Sequence, residues 1–83
     1  MNYPDKSVVV STFYRFAKFP DFADFQESLR DFMLEHDVRG TLLLAAEGIN
    51  GTLAGSRQGI DAVVERLRED ERFAEVETKE SYV

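Results

Sequence analysis

Hydrophobic positions along this chain switch between two periods. From Ser7 to Arg15, SVVVSTFYR, β-branched and aromatic residues crowd together, the make-up of a strand. FPDF then punctuates the chain. Pro20 biases Phe19 away from helix, and Asp21 is placed to accept hydrogen bonds from the first free amides of a new helix. Phe22, Phe25, Leu29, Phe32, Met33 and His36 follow at spacings of three and four, one apolar stripe of a helix ending near Asp37. VRGTLLLAA and INGTLAG read as the next two strands. Ser56 reads as a second cap, with Ile60, Val63, Val64 and Leu67 as the second stripe. DERFAE reads as a loop, and VETKESYV as a last strand from about Val76.

The order is βαββαβ. Right-handed crossovers then place both helices on one face of a four-stranded antiparallel sheet, a ferredoxin-like α+β sandwich with expected strand order 4-1-3-2. Residues 1–83 make one domain, without internal repeat beyond its two similar halves. This topology gathers Arg15–Pro20, the hairpin at Ala46–Asn50 and the loop Asp70–Glu75 at one edge. Asp37–Arg39, Ser56–Arg57 and the end of the fourth strand meet at the other.

The hairpin carries two turn signals, Glu47-Gly48 and Asn50-Gly51. A turn at Asn50-Gly51 would leave only Thr52–Gly55 for a central strand, so the turn is expected at Gly48, which can take a left-handed conformation that Glu47 cannot take cheaply. Gly51 is then spare, inside a strand. That position suggests either a bulge re-aiming the strand or a place where a partner approaches closely.

Composition narrows the function. With 43% hydrophobic and 31% charged residues the chain is that of a globular domain, and no apolar run approaches the ~20 residues of a membrane helix. MNYPDKS has no signal-peptide pattern, and the absence of cysteine excludes disulfides and thiolate sites, so a cytoplasmic setting is expected. Ten cationic residues against sixteen acidic ones, a net charge of −6, count against a self-sufficient nucleic-acid binder but leave room for a local basic patch.

Three chemistries known for this topology can be weighed. An RNA-recognition platform needs aromatics on the first and third strands; the first offers Phe13 and Tyr14, the third none. An acylphosphatase needs a phosphate-cradling loop after the first strand. Arg15 and Asn50 are suggestively placed, but FYRFAKFP has no glycine and Asn50 falls after the hairpin. A metal site lacks ligands: His36 is the single histidine and reads as a packed or capping residue. Ser56 and Arg57 could meet a phosphate, though a plain cap beside a solvated side chain is the simpler reading. Phe16, Phe19 and Phe22 are too many for a small core, which implies some exposure. One sheet face has no helical cover while both sides of the second strand carry leucine, which implies that something docks there.

The run GTLLLAAEGINGTLAGS, with FYRF before it and DERF and KES after it, resembles the N-terminal domain of the bacterial rhodanese-domain tRNA uridine hydroxylases, formerly grouped as rhodanese-related sulfurtransferases or as an uncharacterised family. The resemblance spans about Val9 to Ser81. It implies a ferredoxin-like, acylphosphatase-like domain that precedes a rhodanese domain bearing the active-site cysteine. The whole protein hydroxylates the wobble uridine of certain tRNAs at C5, with molecular oxygen as co-substrate. It further implies that this segment is an excised N-terminal domain with no catalytic residue, cofactor or metal of its own. Its partners would be the rhodanese domain and the tRNA anticodon arm. Glu47, Gly48, Asn50, Gly51 and Thr52, with Arg15 and Lys18 nearby, are the candidate contacts, and Arg72 would extend them into a basic strip. A purely structural interaction module and a small acylphosphatase-like hydrolase are the alternatives.

Overall fold

A computed structural model describes residues 8–82. Ser7 and Val83, which the pattern places at the ends of the first and last strands, lie outside the described residues. The elements are β1 (Val9–Phe16), α1 (Phe22–Glu35), β2 (Arg39–Ala45), β3 (Gly48–Gly55), α2 (Arg57–Arg68), a single 3₁₀ turn at Glu71–Phe73, and β4 (Thr78–Tyr82). The strands form one antiparallel sheet in the order β2-β3-β1-β4, the expected 4-1-3-2 arrangement. Both helices cover one face, and Val9, Phe13, Ile49 and Leu53 meet Leu29, Met33, Ile60, Val63 and Leu67 in a single core.

The second helix begins as its sequence suggests. Ser56 Oγ accepts from the Gly59 amide at 2.9 Å, and Ile60, Val63, Val64 and Leu67 are buried. The first helix departs from expectation at its start. Asp21 stands at the N-cap position but makes no side-chain capping bond; its carboxylate is taken by Arg72 instead. At the other end His36 packs as expected. Its ring stacks on Phe32 at 4.2 Å, with Nδ1 2.9 Å from the Phe32 carbonyl. β4 starts at Thr78, later than Val76. Val76 is buried like a strand residue, but Arg68 donates to its carbonyl, which takes it out of the ladder.

The hairpin turns at Ala46-Glu47, and Gly48 opens β3. Gly48, with φ 151°, carries the conformation that neither turn residue adopts. A Cβ there would stand 2.2 Å from the Arg15 carbonyl oxygen, so glycine also lets β3 close on β1. The second glycine has a different task from either one expected. The β1–β3 register runs unbroken from Val9↔Gly55 to Phe16↔Gly48, which leaves no bulge. Gly51 is buried opposite Phe13 on the helix side, where a Cβ would lie 2.7 Å from the Phe13 ring and 3.2 Å from Leu42. The missing side chain makes room for an aromatic ring in the core.

Two smaller features bear on stability. Ser11 is fully buried on β1 and its hydroxyl has no partner among the described residues. Gln26 on α1 donates to the carbonyl of Leu42 on the outer edge of β2.

Gly51→Ala is expected to cost about 1–3 kcal/mol by overpacking, with part of that loss recovered when Phe13→Leu is added. Ser11→Ala is expected to be neutral or stabilising by up to about 1 kcal/mol, because it removes a buried unsatisfied hydroxyl. Urea denaturation of the single and double variants measures both.

Candidate functional site

Opposed residues of an antiparallel pair share a face, so the register sorts every strand residue. Across the uncovered face run four rows. Ala45, Gly48 and Phe16 form the first, and Leu43, Asn50 and Tyr14 the second. Thr41, Thr52, Thr12 and Lys79 form the third, and Arg39, Ala54, Val10 and Ser81 the fourth. The first two rows make an apolar end: Phe16 is 79% exposed, Tyr14 66% and Leu43 61%. The Tyr14 and Phe16 rings meet edge to face, with centroids 5.7 Å apart. A cleft of about 230 Å³ lies between them and the Ala45–Asn50 segment. Of the phenylalanines expected to crowd the β1 exit, Phe16 is thus exposed, Phe22 half-buried and Phe19 fully buried.

Charge is sorted as sharply as polarity. Glu80 is the one carboxylate in the four strands, and it lies on the helix side, where Arg57 donates to both its oxygens at 2.7 and 3.0 Å. The uncovered face therefore carries Arg39 and Lys79 but no strand carboxylate, in a chain of net charge −6. Arg57 also donates to Asp61 and to the Tyr82 hydroxyl oxygen, so its Nη1 and Nη2 groups clasp α2 to β4, and the one donor left over, Nε, is buried out of reach of a phosphate at Ser56. Arg72 is held in the same way. It bonds Asp70 and Asp21 through both arms of its guanidinium and stacks 4.5 Å above the Phe19 ring. The strip Arg15–Lys18–Arg72 is accordingly cut at Arg72, which is neutralised where it stands.

The β1 exit loop is zipped to the hairpin. The Ala17 amide donates to the Glu47 carbonyl at 2.9 Å and the Phe19 amide to the Ala46 carbonyl at 2.8 Å. Those amides are not free to cradle an anion, and Pro20 has none. Arg15 shares a face with its partner Ile49, whereas Asn50 lies on the opposite face beside Tyr14, so the two do not converge on one phosphate. Among the described residues no group of three His, Cys, Asp or Glu could hold a metal, and no helix is long and apolar enough to cross a membrane.

A family model for the UPF0176 acylphosphatase like domain matches residues 8–83. The chain belongs to this family. Its βαββαβ order and antiparallel sheet are those of the UPF0176 acylphosphatase-like domain, in agreement with the resemblance carried by GTLLLAAEGINGTLAGS.

The motif of this UPF0176 domain divides between two faces. Asn50 and Thr52 stand exposed on the uncovered side, and Glu47 at the turn. Gly48 and Gly51 are buried and supply close packing. Arg15 and Lys18 are exposed at the neighbouring edge. Phe16, whose exposure the crowding of phenylalanines implied, completes the surface with Leu43 and Lys79, and none of the three was among the motif contacts. Their signal was the register, which becomes readable once the turn is fixed at Ala46-Glu47.

Hydrogen bonds from Arg72 hold the Asp21 and Asp70 carboxyls below the ordinary carboxylate range, and those from Arg57 do the same for Glu80. Folded-state values below the unfolded ones mean that the unfolded chain binds more protons at and below about pH 4. Stability is therefore complete above that range and lost as pH falls through it. Arg72→Met and Arg57→Met should each flatten this acid limb, which thermal melts recorded across the acid range will measure.

Proposed function

We propose that this domain is the non-catalytic N-terminal part of an oxygen-dependent tRNA uridine hydroxylase, and that it helps place the anticodon arm for a rhodanese domain in the same protein. The chemistry belongs elsewhere in that protein: this chain has no cysteine, so the catalytic thiolate, and with it the work of molecular oxygen on the uridine, falls to the rhodanese domain. The observation that carries the reading is the uncovered sheet face, which is free of strand carboxylates and bears Lys79 and Arg39, the latter 3.7 Å from Asp37, with Lys18 beyond the end of β1 and Arg15 reaching that end from the helix side. A polyanion approaching an acidic protein needs such a surface, since each phosphate contact requires a cation that displaces counterions.

A second reading, docking on the rhodanese domain, is favoured by the exposed Tyr14, Phe16 and Leu43 at one end of that face. Such an apolar patch suits a partner surface.

An NMR titration of the chain with an anticodon stem-loop tests the first reading. The expected outcome is shifts at Arg15, Lys18, Asn50, Thr52 and Lys79, with a Kd of about 10⁻⁴ to 10⁻⁶ M that weakens as salt rises. Arg15→Ala with Lys18→Ala should weaken binding and reduce the salt slope by about one to two. Shifts on this face with added rhodanese domain, and none with RNA, would establish the second reading in its place.

A further inference from the structure

The apolar end of the uncovered face is built from parts that suit a nucleobase. Among the described residues the exposed large apolar side chains are Val8, Tyr14, Phe16, Leu34, Leu43 and Tyr82, and three of the six fall in two adjacent rows here. Tyr14 and Phe16 stand at an interplanar angle of 71°, so together the two exposed rings form a corner. Gly48 and Ala45 fill the rest of the Phe16 row and leave that ring uncovered. Asn50 stands directly opposite Tyr14 and carries both a donor and an acceptor on its amide. Lys79 lies in the next row and Lys18 beyond the strand end, on either side of the corner. The nearest carboxylates are Glu47, which lines the same cleft from the turn, and Glu77, which borders the neighbouring one together with Arg15 and Lys79.

We propose that the Tyr14–Phe16 corner is a stacking platform for unpaired bases, so that the domain holds the loop of an RNA hairpin and not its stem. This rests on the RNA-placing reading above and narrows it. Every base offers a π-face, so such a platform grips single-stranded segments without reading a fixed sequence, and the flanking cations hold their phosphates. Stacked paired bases present no free face to it. Charge decides between RNA and an apolar protein patch: a surface with cations, threonines and an asparagine but no strand carboxylate complements a polyanion.

The test uses the 83-residue chain, a hairpin RNA with 2-aminopurine in its loop, and a blunt duplex of the same stem. The wild-type chain should change the 2-aminopurine fluorescence and bind the hairpin about tenfold more tightly than the duplex. Tyr14→Leu and Phe16→Ser should each weaken hairpin binding by about tenfold while leaving its salt slope unchanged, because neither ring neutralises a phosphate. Both side chains are exposed, so unchanged thermal melts will confirm that the variants fold. Equal affinity for hairpin and duplex, or wild-type binding by both variants, would overturn the platform and leave the RNA-placing reading in force. Binding to neither RNA at low salt would overturn both.

Discussion

β1 and β3 are held together at one end by two glycine-dependent approaches and by two amide bonds from the β1 exit loop to the hairpin turn. Gly48 admits the Arg15 carbonyl, Gly51 admits the Phe13 ring, and the Ala17 and Phe19 amides bond the turn carbonyls. A strand that slipped by one residue would exchange its two faces. Ile49 and Leu53 would turn to water, and Asn50 and Thr52 would be forced into the core. The site and the hydrophobic core are thus fixed by one register, and neither could be rearranged without the other.

The same register sorts the charge. Acidic residues gather in the helices and loops, and the lone strand carboxylate is spent on Arg57. A net charge of −6 read as a single quantity would discourage any anionic partner. Sorted by face, it leaves one surface on which a polyanion meets cations first. The arginines best placed in sequence for that work, Arg57 and Arg72, instead hold elements together through charge-assisted hydrogen bonds.

Most of the fold was legible in the chain because each helix shows its apolar stripe and each strand its β-branched run. Ser56 capped its helix as its position implies. Asp21 did not, because a guanidinium from a residue fifty-one positions away offered a stronger partner than the helix amides, and such long-range competition leaves no local trace. Val76 was misplaced for a related reason: burial made it look like a strand residue, while Arg68 took its carbonyl. The site was only partly legible. Asn50 and Thr52 were found through their motif, whereas Phe16, Leu43 and Lys79 are brought beside them by three strand pairings that no short stretch encodes. Gly51 drew notice as the mark of a bulge or of a partner's approach, and it stands in an unbroken register against the Phe13 ring.

The contact of Gln26 with the Leu42 carbonyl has a consequence beyond packing. β2 borders the sheet and is rich in leucine, the kind of strand on which another chain can add itself and begin an aggregate. By occupying an outward carbonyl at the middle of that border, Gln26 removes a rung from the ladder a newcomer would climb. The helix that brings Leu29 and Met33 into the core thereby also acts as a gatekeeper against sideways growth of a sheet with one bare face.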